Sequence, residues 1–422
     1  MINILKKKIK KKLKGKIKAK KNRFLITDFP MNKKRVLVRF DYNVPLNKRN
    51  VIDNEKIRVS LPTIKYLLKK DSTIILMSHL GRPKGKHVTE LSLRPVAREL
   101  QKLLPNVKIK LFHNCIGKEI KNTIDKYHLK KPKKKTIFLL ENLRFYKEEK
   151  ENDYSFAHCL ADLADFYIND AFAVSHRNHA SVSAITKFLP SSSGFLLETE
   201  LLNLSKGLKS KKPSIWIIGG AKLKKIDLIK TALEKADKVL IGGALAFSFL
   251  KAKKIHIGNS LVDHDSILVA KKLLKSKHAK KIILPVDFVC TKKMSANTKI
   301  IFREFNDIKS DEIGLDLGPK TVQLFSHYFK NARTIIWNGP LGYFELKPFQ
   351  KATRALVKAI IKSRAFTICG GGETIEVVKT LRAKNKFSFV STGGGASLAL
   401  LSGHKMPALS ALRDNYRHFG RK

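Results

Sequence analysis

Two triple glycines are the residues best suited to chemistry: Gly370–Gly372, which runs into Glu373 and Thr374, and Gly393–Gly395 inside Ser391–Ser397 (STGGGAS). Each follows a strand-like apolar run and precedes a helix-like one. With no side chains in the way, backbone N–H groups can close on an anion there, and a helix starting at that point adds unpaired donors and the positive end of its dipole. A carboxylate beside such a nest would repel phosphate unless a cation stood between them, so Glu373 points to a polyphosphate carried with a metal ion. One glycine-rich turn alone is as readily packing, but the pattern recurs at Gly219 and Gly220, Gly242 and Gly243, and Gly339. The first half of the chain instead ends its strand-like runs in charge: Asp41 and Asn43, His79 and Arg82, Arg144, then Asp170 with His176 and Arg177. One half suits a nucleotide and the other a small anion.

Alternating strands and helices must position these groups. Strand candidates in the first half are 35–40, 73–77, 107–112, 136–140 and 166–170, with helical patterns such as 57–68, 93–104 and 154–163 between them. The pattern restarts with 214–220, 238–243, 281–287, 334–340, 366–372 and 387–395. Near-continuous apolar strands separated by amphipathic helices mean parallel sheets covered on both faces. The expected fold class is therefore α/β, with two doubly wound, Rossmann-like domains and a cleft between them. The expected division is a basic extension over 1–23, a first domain over 24–193, a connecting helix over 194–210, a second domain over 211–403, and a segment 404–422 returning to the first domain. Ligands in such sheets bind beyond the carboxyl ends of the strands, which places the glycines on one edge.

The 422 residues carry a net charge of +52, from 86 basic and 34 acidic side chains. Nucleic-acid binding is the tempting reading. The 68 lysines, however, are spread along nearly the whole chain, and only 18 basic residues are arginine. A specific nucleic-acid partner is not expected. Arginine is informative because lysine cannot replace a planar fork that grips phosphate or carboxylate, which singles out Arg39, Arg58, Arg82, Arg144 and Arg177. Residues 1–23 hold twelve Lys/Arg and no acid, with apolar residues at near-helical spacing, and read as a solvated tail. The four cysteines stand far apart, which argues against zinc or a disulfide framework. No apolar run approaches the roughly 20 residues of a membrane span, and a cytoplasmic location is expected.

RFDYNVP (39–45), SHLGRP (78–83), LLENLRF (139–145), NDAFAVSHR (169–177), GGAK (219–222), LPVDFV (284–289), WNGPLGYFE (337–345), GGGET (370–374) and STGGGASL (391–398) together resemble, in order and spacing, the phosphoglycerate kinase family. The resemblance covers roughly residues 26 to 412. It implies a monomeric glycolytic kinase that moves a phosphoryl group between 1,3-bisphosphoglycerate and Mg-ADP, giving 3-phosphoglycerate and ATP. By the same resemblance Asp41, Asn43, Lys56, His79, Arg82, Arg144 and Arg177 would hold the phosphoglycerate. Lys222, Lys225, Glu345, Gly371, Gly372, Glu373 and Thr374 would hold the nucleotide, with Glu373 on Mg2+. Lys56, Lys222, Lys225, Gly372 and Gly395 would take part in the transfer. Two sites on separate domains imply closure before transfer.

The chain departs from the family pattern near the chemistry. Lys56 stands where the family has its catalytic arginine, Lys225 is only three residues beyond Lys222 where four are usual, and Glu373 replaces an aspartate. Ala173 and Ala244 stand where glycine is usual. The alternative function is therefore a kinase-like binding protein with weak or lost turnover that binds polyanions through its basic surface.

Overall fold

The computed structural model describes residues 24–130, 132, 135–220 and 225–420, so the basic stretch 1–23 and Lys222 lie outside the described residues. In the first half the apolar runs form β1 (Arg35–Arg39), β4 (Thr73–Met77), β5 (Lys108–Leu111), β6 (Thr136–Leu139), β7 (Phe166–Asn169) and β8 (Ser191–Ser193). These make one parallel sheet in the order β5-β6-β4-β1-β7-β8. Two short strands, β2 (Leu46–Asn47) and β3 (Asn50–Val51), form a hairpin after β1. Side chains alternate across a strand, so the central strands of a sheet covered on both faces are apolar at nearly every position. Accordingly Val36, Val38, Ile74 and Leu76 pack on one face against Ile64, Leu67, Val96 and Leu100. Leu37, Ile75 and Met77 pack on the other, against Ile120, Ile124, Phe156 and Leu160.

The second half repeats the plan with β9 (Ser214–Ile218), β10 (Lys238–Ile241), β11 (Ile282–Ile283), β15 (Thr334–Asn338), β16 (Phe366–Gly370) and β17 (Phe389–Val390), in the parallel order β11-β10-β9-β15-β16-β17. Inserted between β11 and β15 is an antiparallel sheet of β12 (Asp287–Thr291), β13 (Ile301–Glu304) and β14 (Ile313–Leu317). The helix Phe195–Leu208 joins the two large sheets, with Leu197 and Leu204 in the core of the second and Phe195 against the first. The helix Pro407–Phe419 returns to the first sheet, where buried Asn415 accepts from Ser191 N at 2.9 Å and donates to Leu189 O at 2.7 Å.

Two local expectations are corrected, and one strand is added. The run 281–287 is not one strand: Pro285 has no N–H to give a ladder, so β11 stops at Ile283 and the chain restarts as β12 in another sheet. The helix expected over 57–68 is two pieces, Glu55–Arg58 and Leu61–Lys69, because a continuous helix would press the Pro62 ring on the Arg58 carbonyl. The all-serine strand β8, buried at every position, was not anticipated at all.

Candidate active site

The charged groups of the first sheet meet just beyond β1, β4 and β6. Asp41, 9% exposed, accepts from Lys56 Nζ at 2.8 Å and from its neighbour Asn43 N at 3.0 Å. Asn43 Oδ1 accepts from Gly81 N at 2.9 Å, and Arg144 donates to Gly81 O at 2.6 Å. The loop carrying exposed Arg82 is thus fixed from both sides by two of the other expected ligands. His79 is buried, 3.0 Å from Arg39 Nη2 through Nδ1 and 3.9 Å from Asp41 Oδ1 through Nε2. Guanidinium only donates, so Nδ1 is the acceptor and the neutral ring carries its proton on Nε2, facing Asp41. Burial and then the positive fields of Arg39, Arg144, Lys56 and Arg177 hold the His79 pKa well below its usual value. Arg144 is also buried, which lowers its pKa to about 10, with Arg177 and Arg39 adding to the effect. It remains a cation at neutral pH, and its Nε has no hydrogen-bond partner among the described residues. Arg177 lies 3.4 Å from His176 Nε2.

Two arginines singled out by type alone are structural. Arg39 is buried, bonded to Ser181 Oγ at 2.9 Å, to Phe40 O and to His79, and lies 3.9 Å from buried Glu149. Arg58 is spent on Asn54 Oδ1, one helical turn back at 2.8 Å, and does not take over from Lys56.

The second sheet separates packing glycines from open ones. A Cβ on Gly219 would strike the Pro340 carbonyl oxygen, and one on Gly243 would come 2.6 Å from Gly220 N, because the turns after β9, β10 and β15 hydrogen-bond to one another. Gly372 and Gly394 differ, since a Cβ on either would meet nothing within 4 Å. Gly394 needs its freedom for φ +52° and Gly371 for φ +94°. Gly372, by contrast, adopts no positive φ and starts the helix Gly372–Thr380, so neither strain nor crowding calls for glycine there. Gly395 sits where a Cβ would be 3.6 Å from His176 Nε2, in contact with the first half.

Thr374 is buried and its Oγ1 accepts from Gly339 N at 2.6 Å, tying the glycine loop to the end of β15. Lys225 donates to Gly219 O at 2.6 Å. Exposed Glu345 and Glu373 line a cavity of about 230 Å³ with Phe247, Phe288, Leu315 and Tyr343. A second cavity, of about 600 Å³, lies between the halves, with Glu55 and Lys56 on one wall and Gly372, Lys379, Thr392 and Gly394 on the other. Among the described residues no cluster of three or more His, Cys, Asp or Glu could hold a metal alone. Magnesium bound by one or two carboxylates plus substrate phosphates needs none, and Glu373 beside the open Gly372 cradle fits that pattern.

Sequence reading missed two residues here. Asn338 ends β15 with a buried Nδ2 that has no partner among the described residues, directed toward Gly371. It lies within WNGPLGYFE, between the apolar strand and Gly339, and an asparagine ending a buried strand carries no local sign of a ligand role. Glu200, buried on the helix Phe195–Leu208, accepts from Ser391 Oγ and Thr392 N at 2.6 Å and from Thr392 Oγ1 at 2.8 Å. A carboxylate inside an amphipathic pattern gives no sign that it anchors a loop 191 residues away.

Burial raises the Glu200 pKa from 4.5 to about 7, against the pull of those hydrogen bonds. A raised carboxylate pKa gives stability that is complete below the unfolded value and lost as pH rises through the folded one. Glu200→Gln, which does not titrate, should therefore gain on the wild type between pH 4.5 and 7, by up to about 3 kcal/mol. Melting temperatures at pH 5 and pH 8 check this, and an equal difference at both refutes it.

The phosphoglycerate kinase family profile matches residues 26–404. The phosphoglycerate kinase of Dictyoglomus turgidum is 42% identical over 401 residues, covering 94% of this chain and 100% of that one. That of Aquifex aeolicus is 44% identical over 395 residues, covering 92% and 98%. The solved phosphoglycerate kinase of Coxiella burnetii superimposes with a TM-score of 0.82 at 34% identity, covering 92% of this chain and 98% of that one. The chain thus belongs to the phosphoglycerate kinase family, a phosphotransferase moving a phosphoryl group reversibly between 1,3-bisphosphoglycerate and ADP to give 3-phosphoglycerate and ATP.

Proposed function

We propose that the cavity of about 600 Å³ between Lys56 and the Gly372 and Gly394 loops is where transfer takes place, and its two-sided lining is the observation that carries this reading. Arg144 and Arg177 supply fixed positive charge for the phosphoglycerate, and Asn43 and Arg144 hold the Arg82 loop in place. The Nε2 of neutral His79 faces Asp41 at 3.9 Å, and Asp41 in turn holds the Lys56 ammonium at 2.8 Å, so the first half is pre-set before substrate arrives. On the other side Glu345 and the apolar slot take the nucleoside, and Gly371, Gly372 and Thr374 its phosphates, with Asn338 as a further donor. Lys222 and Lys225 belong to the same reading by motif.

Phosphoryl transfer asks for little covalent chemistry from protein groups: donor and acceptor oxygens must be in line, charge neutralised and water kept out. When bound, Mg2+ neutralises charge on the nucleotide phosphates, and Glu373 is the carboxylate that would hold it. The domain limits are 24–193 and 211–403, with 194–210 connecting them and 404–422 returning. The protein works as a cytoplasmic monomer; among the described residues no helix is long and apolar enough to cross a membrane.

Coupled measurement of ATP formation from 1,3-bisphosphoglycerate tests the reading directly. Substrate binding without turnover would favour a polyanion-binding relative instead. Glu373→Gln should weaken Mg-ADP binding about tenfold while 3-phosphoglycerate affinity stays within about twofold, by calorimetric titration. A fall in 3-phosphoglycerate affinity would mean that the two ligands have been assigned to the wrong halves.

A further inference from the structure

Lys56 is preceded by two carboxylates, Asp53 and Glu55, that no expected ligand role uses. Both reach across the cleft. Lys379 Nζ lies 2.6 Å from Asp53 Oδ2 and also contacts Glu55, and Lys384 contacts Glu55 through its other oxygen. The lysines come from the second half: Lys379 from the last turn of the helix Gly372–Thr380, and Lys384 from the short turn that follows. Two carboxylates within three positions thus meet two lysines of the opposite half.

What the four residues are joined to gives the contact a purpose. Glu55 and Lys56 are neighbours on the helix Glu55–Arg58, so fixing one fixes the other. Across the cleft, the helix that ends near Lys379 begins at Gly372, the open cradle, about 10 Å away along its axis. The ion pairs therefore tie the element carrying Lys56 to the element carrying Gly372, at the rim of the cavity that Lys56 and Gly372 both line. Asp53, Lys379 and Lys384 are 35% to 43% accessible and Glu55 18%. Pairs of that exposure are individually weak and screened by salt. Weakness suits a contact that must form and release in every cycle.

We propose that Asp53 and Glu55 are positioning residues that act through Lys56: by docking on Lys379 and Lys384 they bias the cleft towards closure and set the Lys56 ammonium against the Gly372 cradle. The inference rests on the reading above that Lys56 and Gly372 flank the transferred phosphoryl group, and the test separates the two. Asp53 also accepts from Glu55 N at 2.8 Å, just ahead of the helix Glu55–Arg58, so the pair to exchange is Glu55 with Lys384.

Glu55→Lys and Lys384→Glu should each lower kcat at saturating substrates about fivefold to tenfold, and the double variant should recover to within about threefold of wild type. Wild-type kcat should fall between 50 and 500 mM KCl, and the fall should be blunted in Glu55→Gln. Small-angle X-ray scattering with 3-phosphoglycerate and Mg-ADP bound should show contraction in the wild type and the double variant, and less in each single variant. Melting temperatures confirm that all variants are folded. Full contraction in the single variants, or no recovery in the folded double variant, overturns the latch whatever Lys56 does. Contraction lost in the single variants with kcat unchanged would keep the closure contact and overturn its action through Lys56.

Discussion

Lys56→Ala is expected to lower kcat by about two orders of magnitude or more, because on the proposed reading its ammonium is the charge beside the transferring phosphoryl group and neither neighbouring arginine is placed to replace it. Arg58 is committed to Asn54, and Arg39 is buried among His79, Ser181 and Glu149. The alanine also leaves Asp41, only 9% exposed, without its cation, so KM for the phosphoglycerate should rise as well. The opposite substitution, Lys56→Arg, should raise kcat about tenfold, since a guanidinium can place two parallel donors on phosphoryl oxygens where ammonium is a point charge. Steady-state kinetics at saturating nucleotide checks both. An unchanged kcat in Lys56→Ala, with the protein folded, would remove this residue from the reaction path.

Gly372→Ala should cost about a hundredfold in kcat/KM for Mg-ADP while the melting temperature stays level or rises slightly. The added methyl meets no protein atom within 4 Å, the backbone needs no positive φ, and alanine is the better residue inside a helix. Only a ligand approaching the backbone would notice it. Gly219→Ala is the contrasting control, since its methyl would run into the Pro340 carbonyl and stability should fall. Equal nucleotide kinetics in Gly372→Ala and wild type would mean that the polyphosphate sits elsewhere.

Much of this was legible in the sequence because buried parallel strands and glycine-ended turns leave strong local signals. The runs RVLVR, TIILM and SIWII carry their two-faced burial in their composition, and both large sheets follow from them. Structures whose signal is not local were missed. Strand β8 is three serines, held by its pairing with β7 and by hydrogen bonds rather than by apolar side chains. The antiparallel insertion begins in what reads as the tail of a buried strand, and only Pro285 marks the change of sheet. At the site, motif spacing singles out the groups proposed to touch ligands but gives no sign of those that position them. Glu200 and the Glu55 to Lys384 contact join residues 191 and more than 300 positions apart, and nothing in either local stretch announces the other. The triple glycines stand out in sequence, but only the space around each glycine shows that Gly219 serves packing and Gly372 does not.

The return of the helix Pro407–Phe419 to the first sheet has a consequence for biosynthesis. Asn415 supplies the acceptor for Ser191 N and donates to Leu189 O, so the edge of the first sheet obtains two of its buried hydrogen bonds from a residue 224 to 226 positions further along the chain. Domains ordinarily fold from the N-terminus as they leave the ribosome. Here the first half emerges with its edge strand incomplete, and must wait while the whole second sheet is translated before its final polar partner arrives. The first sheet's edge is thus completed only after the second half has been made.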